Sequence, residues 1–312
     1  MKILIAYDGS DCADRALTDL RRAGLPRQAE AMVISVAEQW FPPPPPSRYE
    51  IVETALALSA SAEATEPPSQ AVEQVHVLAV QASKLVKSLF PAWKVSGEAY
   101  SGSPARELIT RANEWSADLI VVGSHGRSAL GRFILGSVSQ RVVTEAACSV
   151  RIARGSQENK NTRVRIIIGV DGSSCSGAAV RAVTERTWPP GSEAYVITVY
   201  DPIVPTAIGQ FIPPVVEWVE EGNEGQLARA RRVAEGAAKE LRRVGLAVST
   251  IVNPGDPRHM LLEEAERLAA DSIFVGARGL SRIDQILLGS VSTAIATRAH
   301  CSVEVVRSRL ET

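Results

Sequence analysis

The chain lacks the short signatures that mark most nucleotide-using and hydrolytic enzymes. No GxxxxGK[ST] occurs, so it is not a P-loop protein, and no GxGxxG follows the first apolar run, which argues against the usual dinucleotide fingerprint. GxSxG and HExxH are also missing, which removes the nucleophile elbow and the zincin helix. Cysteine is scarce: four residues, with neither CxxC nor Cys/His spacing, give a zinc site or disulfide framework no basis. Charge of one sign is not in excess, since Lys+Arg 34 against Asp+Glu 35 leave a net charge of −1. That balance carries no footprint for nucleic acid or an anionic membrane. The apolar run in the N-terminal MKILIAYDGS is too short for a signal-peptide core or a membrane span, so the expectation is a cytoplasmic protein.

What is present is a repeat. Gly123-x2-Gly126-x9-Gly136-Ser137 recurs as Gly276-x2-Gly279-x9-Gly289-Ser290, each copy directly after an apolar run, DLIVVG and SIFVG. KILIAYDGS matches RIIIGVDGS, and MVISVAE matches YVITVYD, at an offset of 163; the glycine loops and the CSV triplets match at 153. The first copy therefore holds about ten extra residues between Val36 and Gly102, in a region containing Pro42 to Pro46 and the Ala/Ser-rich stretch Thr54 to Ala64. The 312 residues fit two domains of roughly 150. The boundaries read as domain 1 over 1–153, a polar linker over 154–163 and domain 2 over 164–312. The cysteines pair by duplication, Cys12 with Cys175 and Cys148 with Cys301.

Apolar runs alternate with amphipathic stretches in each half. ILIAY, AMVISV, Val95 to Tyr100, DLIVVG and SVRIA read as strands; helices are expected from Asp11 to about Ala23 behind a Ser10 cap, from Ser69 to Leu89, from Pro104 and from Ser137. The second half repeats the order, with a long helix over about Val215 to Gly245. The fold class is α/β: two tandem open parallel-sheet domains, Rossmann-like and five-stranded. Such sheets take ligands beyond the carboxyl ends of their strands, at the switch point of strand order. Asp8, Val36 and Gly123 all sit at such ends.

The glycine loops suit a phosphate, because a helix start offers unpaired N–H groups and partial positive charge. Gly136, Ser137 and Ser139 supply N–H groups and hydroxyls there; the other reading of the same residues is a tight turn that serves packing. Arg127 and Arg132 could add charge, though a solvated arginine is the plainer reading. His125 faces Arg278 in the alignment of the copies and reads as a solvent-facing loop histidine rather than a base. Asp8 and Asp171, each in a D-G-S turn, read equally as turn carboxylates or as contacts to a nucleoside.

The ordered set KILIAYDGS/RIIIGVDGS, G-x2-G-x9-G-S and CSVRIA/CSVEVV resembles the universal stress protein family in its tandem form, over nearly the whole chain. Both glycine motifs resemble those of the family's ATP-binding group. That resemblance implies adenosine contacts by Asp8 and Val36, a pocket closed by Val122 and Gly123, and phosphates among Gly126, Gly136, Ser137, Val138 and Ser139. In the second half the matching positions are Asp171, Val199, Val275, Gly276, Gly279, Gly289, Ser290, Val291 and Ser292. There GSHGR becomes GARGL, with loss of a hydroxyl and of the charge after the second glycine, so the first pocket is expected to be the stronger one. The resemblance also implies pairing of the two last strands into a pseudo-dimer, leaving a further homodimer open.

The functional expectation is an ATP-binding, nucleotide-dependent stress-response protein with at most slow ATP hydrolysis, since no nucleophile–base pair or carboxylate dyad is visible. Mg2+ or Mn2+ would be held mostly through the phosphates. The rivals are a slow ATPase or phosphotransferase, a structural interaction module whose loops only turn corners, and a cyclic-nucleotide binder.

Overall fold

The computed structural model describes residues 1–38, 68–126, 135–154, 163–205, 213–279 and 288–308. The proline run, the stretch Thr54–Ala64, Arg127, Arg132, Leu280 and most of the 154–163 linker lie outside the described residues. In the first half the elements are β1 (Lys2–Ala6), α1 (Asp11–Asp19), β2 (Glu30–Glu38), α2 (Pro68–Leu89), β3 (Lys94–Gly102), α3 (Pro104–Trp115), β4 (Leu119–Gly123), α4 (Ser137–Glu145) and β5 (Ser149–Ala153). The second half follows with β6 (Arg165–Gly169), α5 (Ser174–Thr184), β7 (Glu193–Tyr200), α6 (Pro213–Arg243), β8 (Ala247–Pro254), α7 (Pro257–Arg267), β9 (Ser272–Gly276), α8 (Ser290–Arg298) and β10 (Ser302–Val306). The first helix is shorter than expected: it ends at Asp19 and continues as a 3-10 turn over Leu20–Arg22.

All ten strands form one sheet in the order β3-β2-β1-β4-β5-β10-β9-β6-β7-β8. Every pairing within a half is parallel, and β5 meets β10 antiparallel. The last strands therefore do join the halves into a pseudo-dimer. Strand order reverses between β1 and β4, and again between β6 and β9, so each half opens a crevice at that point.

The two faces of the seam differ because successive side chains in a strand point to opposite sides. Val150, Ile152, Val303 and Val305 join a single apolar core that runs across both halves under α3, α4, α7 and α8. The other face of the same strands carries Arg151 and Glu304, both wholly buried and opposite each other in register. Arg151 Nε donates to Asp19 Oδ2 at 2.7 Å, and its Nη1 lies 3.6 Å from Glu304 Oε2. Arg186 bonds Glu304 in turn, and Ser302 Oγ donates to Asp19 Oδ1 at 2.8 Å. Four alternating charges thus run from α1 through both last strands to the segment after α5.

Candidate functional site

At the end of β1 the D-G-S sequence makes a compact turn. Asp8 Oδ1 accepts from Ser10 N–H at 3.0 Å, and Gly9 has φ 75°, a left-handed backbone that favours glycine. Ser10 then caps α1, its Oγ accepting from Ala13 N–H at 3.2 Å. The second copy repeats each step: Asp171 accepts from Ser173 N–H at 2.9 Å, Gly172 has φ 84°, and Ser173 accepts from Ser176 N–H at 3.1 Å.

The glycine loop begins where β4 ends. A Cβ on Gly123 would lie 3.2 Å from the Cys12 backbone, and one on Gly276 only 2.5 Å from that of Cys175, so strand and helix approach at glycine distance. A Cβ on Gly126 would lie 3.1 Å from Asp8 Oδ2, and one on Gly279 2.8 Å from Asp171 Oδ2. The loop is closed by Gly136 N–H to Ser124 O at 2.9 Å, and by Gly289 N–H to Ala277 O at 2.8 Å. Gly136 and Gly289 thereby become the N-caps of α4 and α8, and neither start is capped by a side chain. The N–H groups of residues 137–139 and 290–292 consequently have no intrahelical acceptor.

One expectation changes here. The Ser139 hydroxyl donates to Gly123 O at 2.7 Å, and that of Ser292 to Gly276 O at 2.5 Å. These hydroxyls tie helix to strand end, which leaves the backbone N–H of each serine as its group without an intrahelical acceptor.

Two cavities result, of about 450 Å³ in the first half and about 250 Å³ in the second. Asp8, Val36, Val122, Gly123, Gly126, Gly136, Ser137, Val138 and Ser139 all line the first. Asp171, Val199, Val275, Gly276, Gly279, Gly289, Ser290, Val291 and Ser292 all line the second. Sequence reasoning missed the wall that α2 supplies to the first cavity through Ala71, Gln74 and Val75. It also misplaced His125, which lines the first cavity as Arg278 lines the second. Both copies put a residue able to carry positive charge at this position, and that was the signal available.

His125 Nδ1 lies 3.0 Å from Ser124 Oγ, while Nε2 is buried and has no hydrogen-bond partner among the described residues. Burial, and then the charge of Arg154, pushes the imidazole below its ordinary pKa. Arg154 belongs to a reciprocal pair. Directly after β5, its Nη2 donates to Ala296 O at 2.5 Å, at the end of α8, and its N–H to Ser302 Oγ at 3.0 Å. Arg307, directly after β10, donates from Nη2 to Val143 O at 2.6 Å, at the end of α4, and from its N–H to Ser149 Oγ at 3.1 Å. α4 and α8, whose starts are uncapped, thus each have their negative end held by an arginine of the other half. Burial lowers the Arg154 guanidinium to about 10, so it stays charged at neutral pH.

Among the described residues no three His, Cys, Asp or Glu side chains cluster as a metal site would require, and no helix is long and apolar enough to cross a membrane.

This geometry agrees with what the chain is similar to. The universal stress protein family matches residues 1–154 and 163–307. A universal stress protein of Mycolicibacterium smegmatis is 32% identical over 216 residues, covering 69% of each chain. One of Mycobacterium bovis is 25% identical over 311 residues, covering 98% of this chain and 96% of the relative. The crystal structure of a universal stress protein from Archaeoglobus fulgidus superposes with a TM-score of 0.65 at 19% identity, covering 99% of this chain and 98% of that one. The chain belongs to the universal stress protein family, with one family domain in each half.

Proposed function

We propose that this protein binds ATP in the crevice of each half, and that occupancy rather than turnover is its output. The observation that carries the reading is a cavity at each switch point where an uncapped helix start and a Gly-x2-Gly loop face the aspartate ending the first strand. The residues fit the nucleotide. Gly126 stands where any side chain would press on Asp8, which keeps the cradle open between carboxylate and helix start. The N–H groups of Ser137, Val138 and Ser139 would hold phosphate oxygens, as charge-assisted bonds at a helix N-terminus. Asp8 would accept from the ribose and the Val36 backbone would meet the base. A divalent ion would arrive with the phosphates, which supply its oxygen ligands. Hydrolysis would be slow at best, because the hydroxyl that lies against an imidazole here, Ser124 Oγ at 3.0 Å from His125 Nδ1, belongs to a buried residue.

The first cavity falls within the roughly 300–1,000 Å³ typical of small-molecule sites and the second just below it, which supports stronger binding in the first half. The protein purified without added nucleotide should release adenine nucleotide on denaturation, and calorimetry of the emptied protein should show heat with ATP. Gly126→Val and Gly279→Val should each remove one class of site. Absence of both nucleotide and heat would sink the reading. An intact heat in the two variants would place binding elsewhere.

A further inference from the structure

The geometry points to a difference in proton linkage between the two pockets: the first takes up one proton on His125 Nε2 when a polyphosphate anion binds, and the second, with Arg278 in the same place, takes up none. This rests on the reading of both cavities as nucleotide sites and adds a regulation to them.

The two side chains are placed alike. A Cβ on Gly136 would lie 3.4 Å from His125 Cα, and one on Gly289 3.4 Å from Arg278 Cα, so each residue packs on the N-cap glycine of its phosphate cradle. Each lines its cavity. In the first, the ring is held by its other nitrogen. The tautomer this requires has the Ser124 hydroxyl turned toward Cys12 Sγ, 4.0 Å away, and Nδ1 donating to Ser124 Oγ at 3.0 Å. Nε2 of the neutral ring is then a bare lone pair, and it is buried without a partner among the described residues.

Burial and the charge of Arg154 disfavour the charged form of the ring. Among the described residues Arg154, after β5, is the charge that acts on the ring; Asp8 Oδ2 lies beside Gly126, and Cys12 Sγ lies beside Ser124 Oγ. Arg154 is held through Nη2 by the carbonyls of Ala296 and Thr297. Asp8 is engaged by Ser10 N–H. An anion set on the N–H groups of 137–139 would place negative charge beside the ring and favour its protonated form, with the proton taken from solvent and no covalent change.

The sign follows from linkage. The free ring sits below its ordinary pKa and the liganded ring above the free one, so affinity rises as pH falls between those two values. The slope is at most about ten-fold per pH unit for one proton. Arg278 is protonated throughout, so the second pocket carries no such slope from this position.

The test is calorimetry of the full chain with magnesium–ATP from roughly pH 6 to 8, the range in which histidine titrates. Buffers of different ionisation enthalpy give the number of protons taken up. Gly126→Val and Gly279→Val identify which pocket is read. The expected result is uptake of up to one proton and a falling affinity with pH in the first pocket. Both should be lost in His125→Gln, and His125→Arg should bind independently of pH. Arg278→His should bring the pH dependence to the second pocket, which keeps the idea testable should His125 variants fold poorly. An unchanged pH slope in His125→Gln, with ATP still bound, would overturn the proton assignment and leave the nucleotide reading standing. No ATP binding by the parent chain at any pH would overturn both.

Discussion

The two pockets share their backbone and differ in their contents. The turn bond to the aspartate is 3.0 and 2.9 Å, the serine cap 3.2 and 3.1 Å, the loop-closing bond 2.9 and 2.8 Å, and the serine-to-strand bond 2.7 and 2.5 Å. Against this sameness, Ser124 and His125 face Ala277 and Arg278, and the cavities measure about 450 and 250 Å³. The first is walled by α2, whereas no residue of α6 lines the second. Groups that satisfy backbone donors and acceptors stayed after duplication, because an orphaned buried N–H or carbonyl is costly in either copy. The nine lining residues from Asp8 to Ser139 are also the same in both copies, so the drift lies in their neighbours, Ser124 and His125 against Ala277 and Arg278 among them. What distinguishes the halves is therefore the side chains around a shared frame.

The largest expected effect lies where the halves stop being copies. Position 151 is arginine and its duplicate, 304, is glutamate. Two first halves placed face to face would set arginine on arginine, and two second halves glutamate on glutamate. The pairing across β5 and β10 is therefore selective for unlike halves. Arg151→Met leaves Asp19 and Glu304 buried with one cation fewer, which is expected to cost about 3–5 kcal/mol in denaturant-induced unfolding. A loss below about 1 kcal/mol would mean that the apolar face of the seam carries the pairing by itself.

A smaller effect separates the two glycine loops. Gly276→Ala puts a methyl 2.5 Å from a backbone carbonyl carbon of α5 and should destabilise by about 1–3 kcal/mol through overpacking. Gly123→Ala meets the matching backbone at 3.2 Å and should cost clearly less in the same thermal unfolding measurement. Equal costs would break the claim that the second crevice is the tighter of the two.

Much of this was legible in the sequence because duplication printed each motif twice. The parallel sheet and the gathering of Asp8, Val36 and the glycine loop at one crevice follow from alternating elements and the switch-point rule, whereas the last-strand pairing follows from the family resemblance. What escaped was set by contacts between distant segments. The expectation that His125 faces solvent weighed identity across copies, His against Arg, where shared cationic character was the useful comparison. The burial of its Nε2 is a tertiary fact to which local pattern is blind. Arg154, first residue of a stretch that reads as polar linker, instead holds the end of α8, which lies 142 residues away along the chain. The hydroxyls of Ser139 and Ser292 look free in a list of motif residues, and their strand-end acceptors appear only once the helix is docked.

The smallest expected effect concerns a pair of helix caps. Ser103 starts α3 without any side-chain cap bond, whereas Asp256, its duplicate, starts α7 by accepting from Arg258 N–H at 2.8 Å. The side-chain bond from Arg258, and then its backbone N–H, hold the Asp256 carboxyl below the usual carboxylate range. A carboxylate with a lowered folded-state pKa contributes stability that is present above its ordinary value of 3.8 and is lost as pH falls through the lowered one. Asp256→Ser should therefore be less stable than the parent chain at neutral pH, with the gap closing in acid, while Ser103→Ala should give no pH-dependent gap. Unfolding curves of the two variants across that acid range decide it. A gap for Asp256→Ser that persists in acid would assign the effect to loss of the neutral cap alone, and would remove charge from the list of features that distinguish the halves.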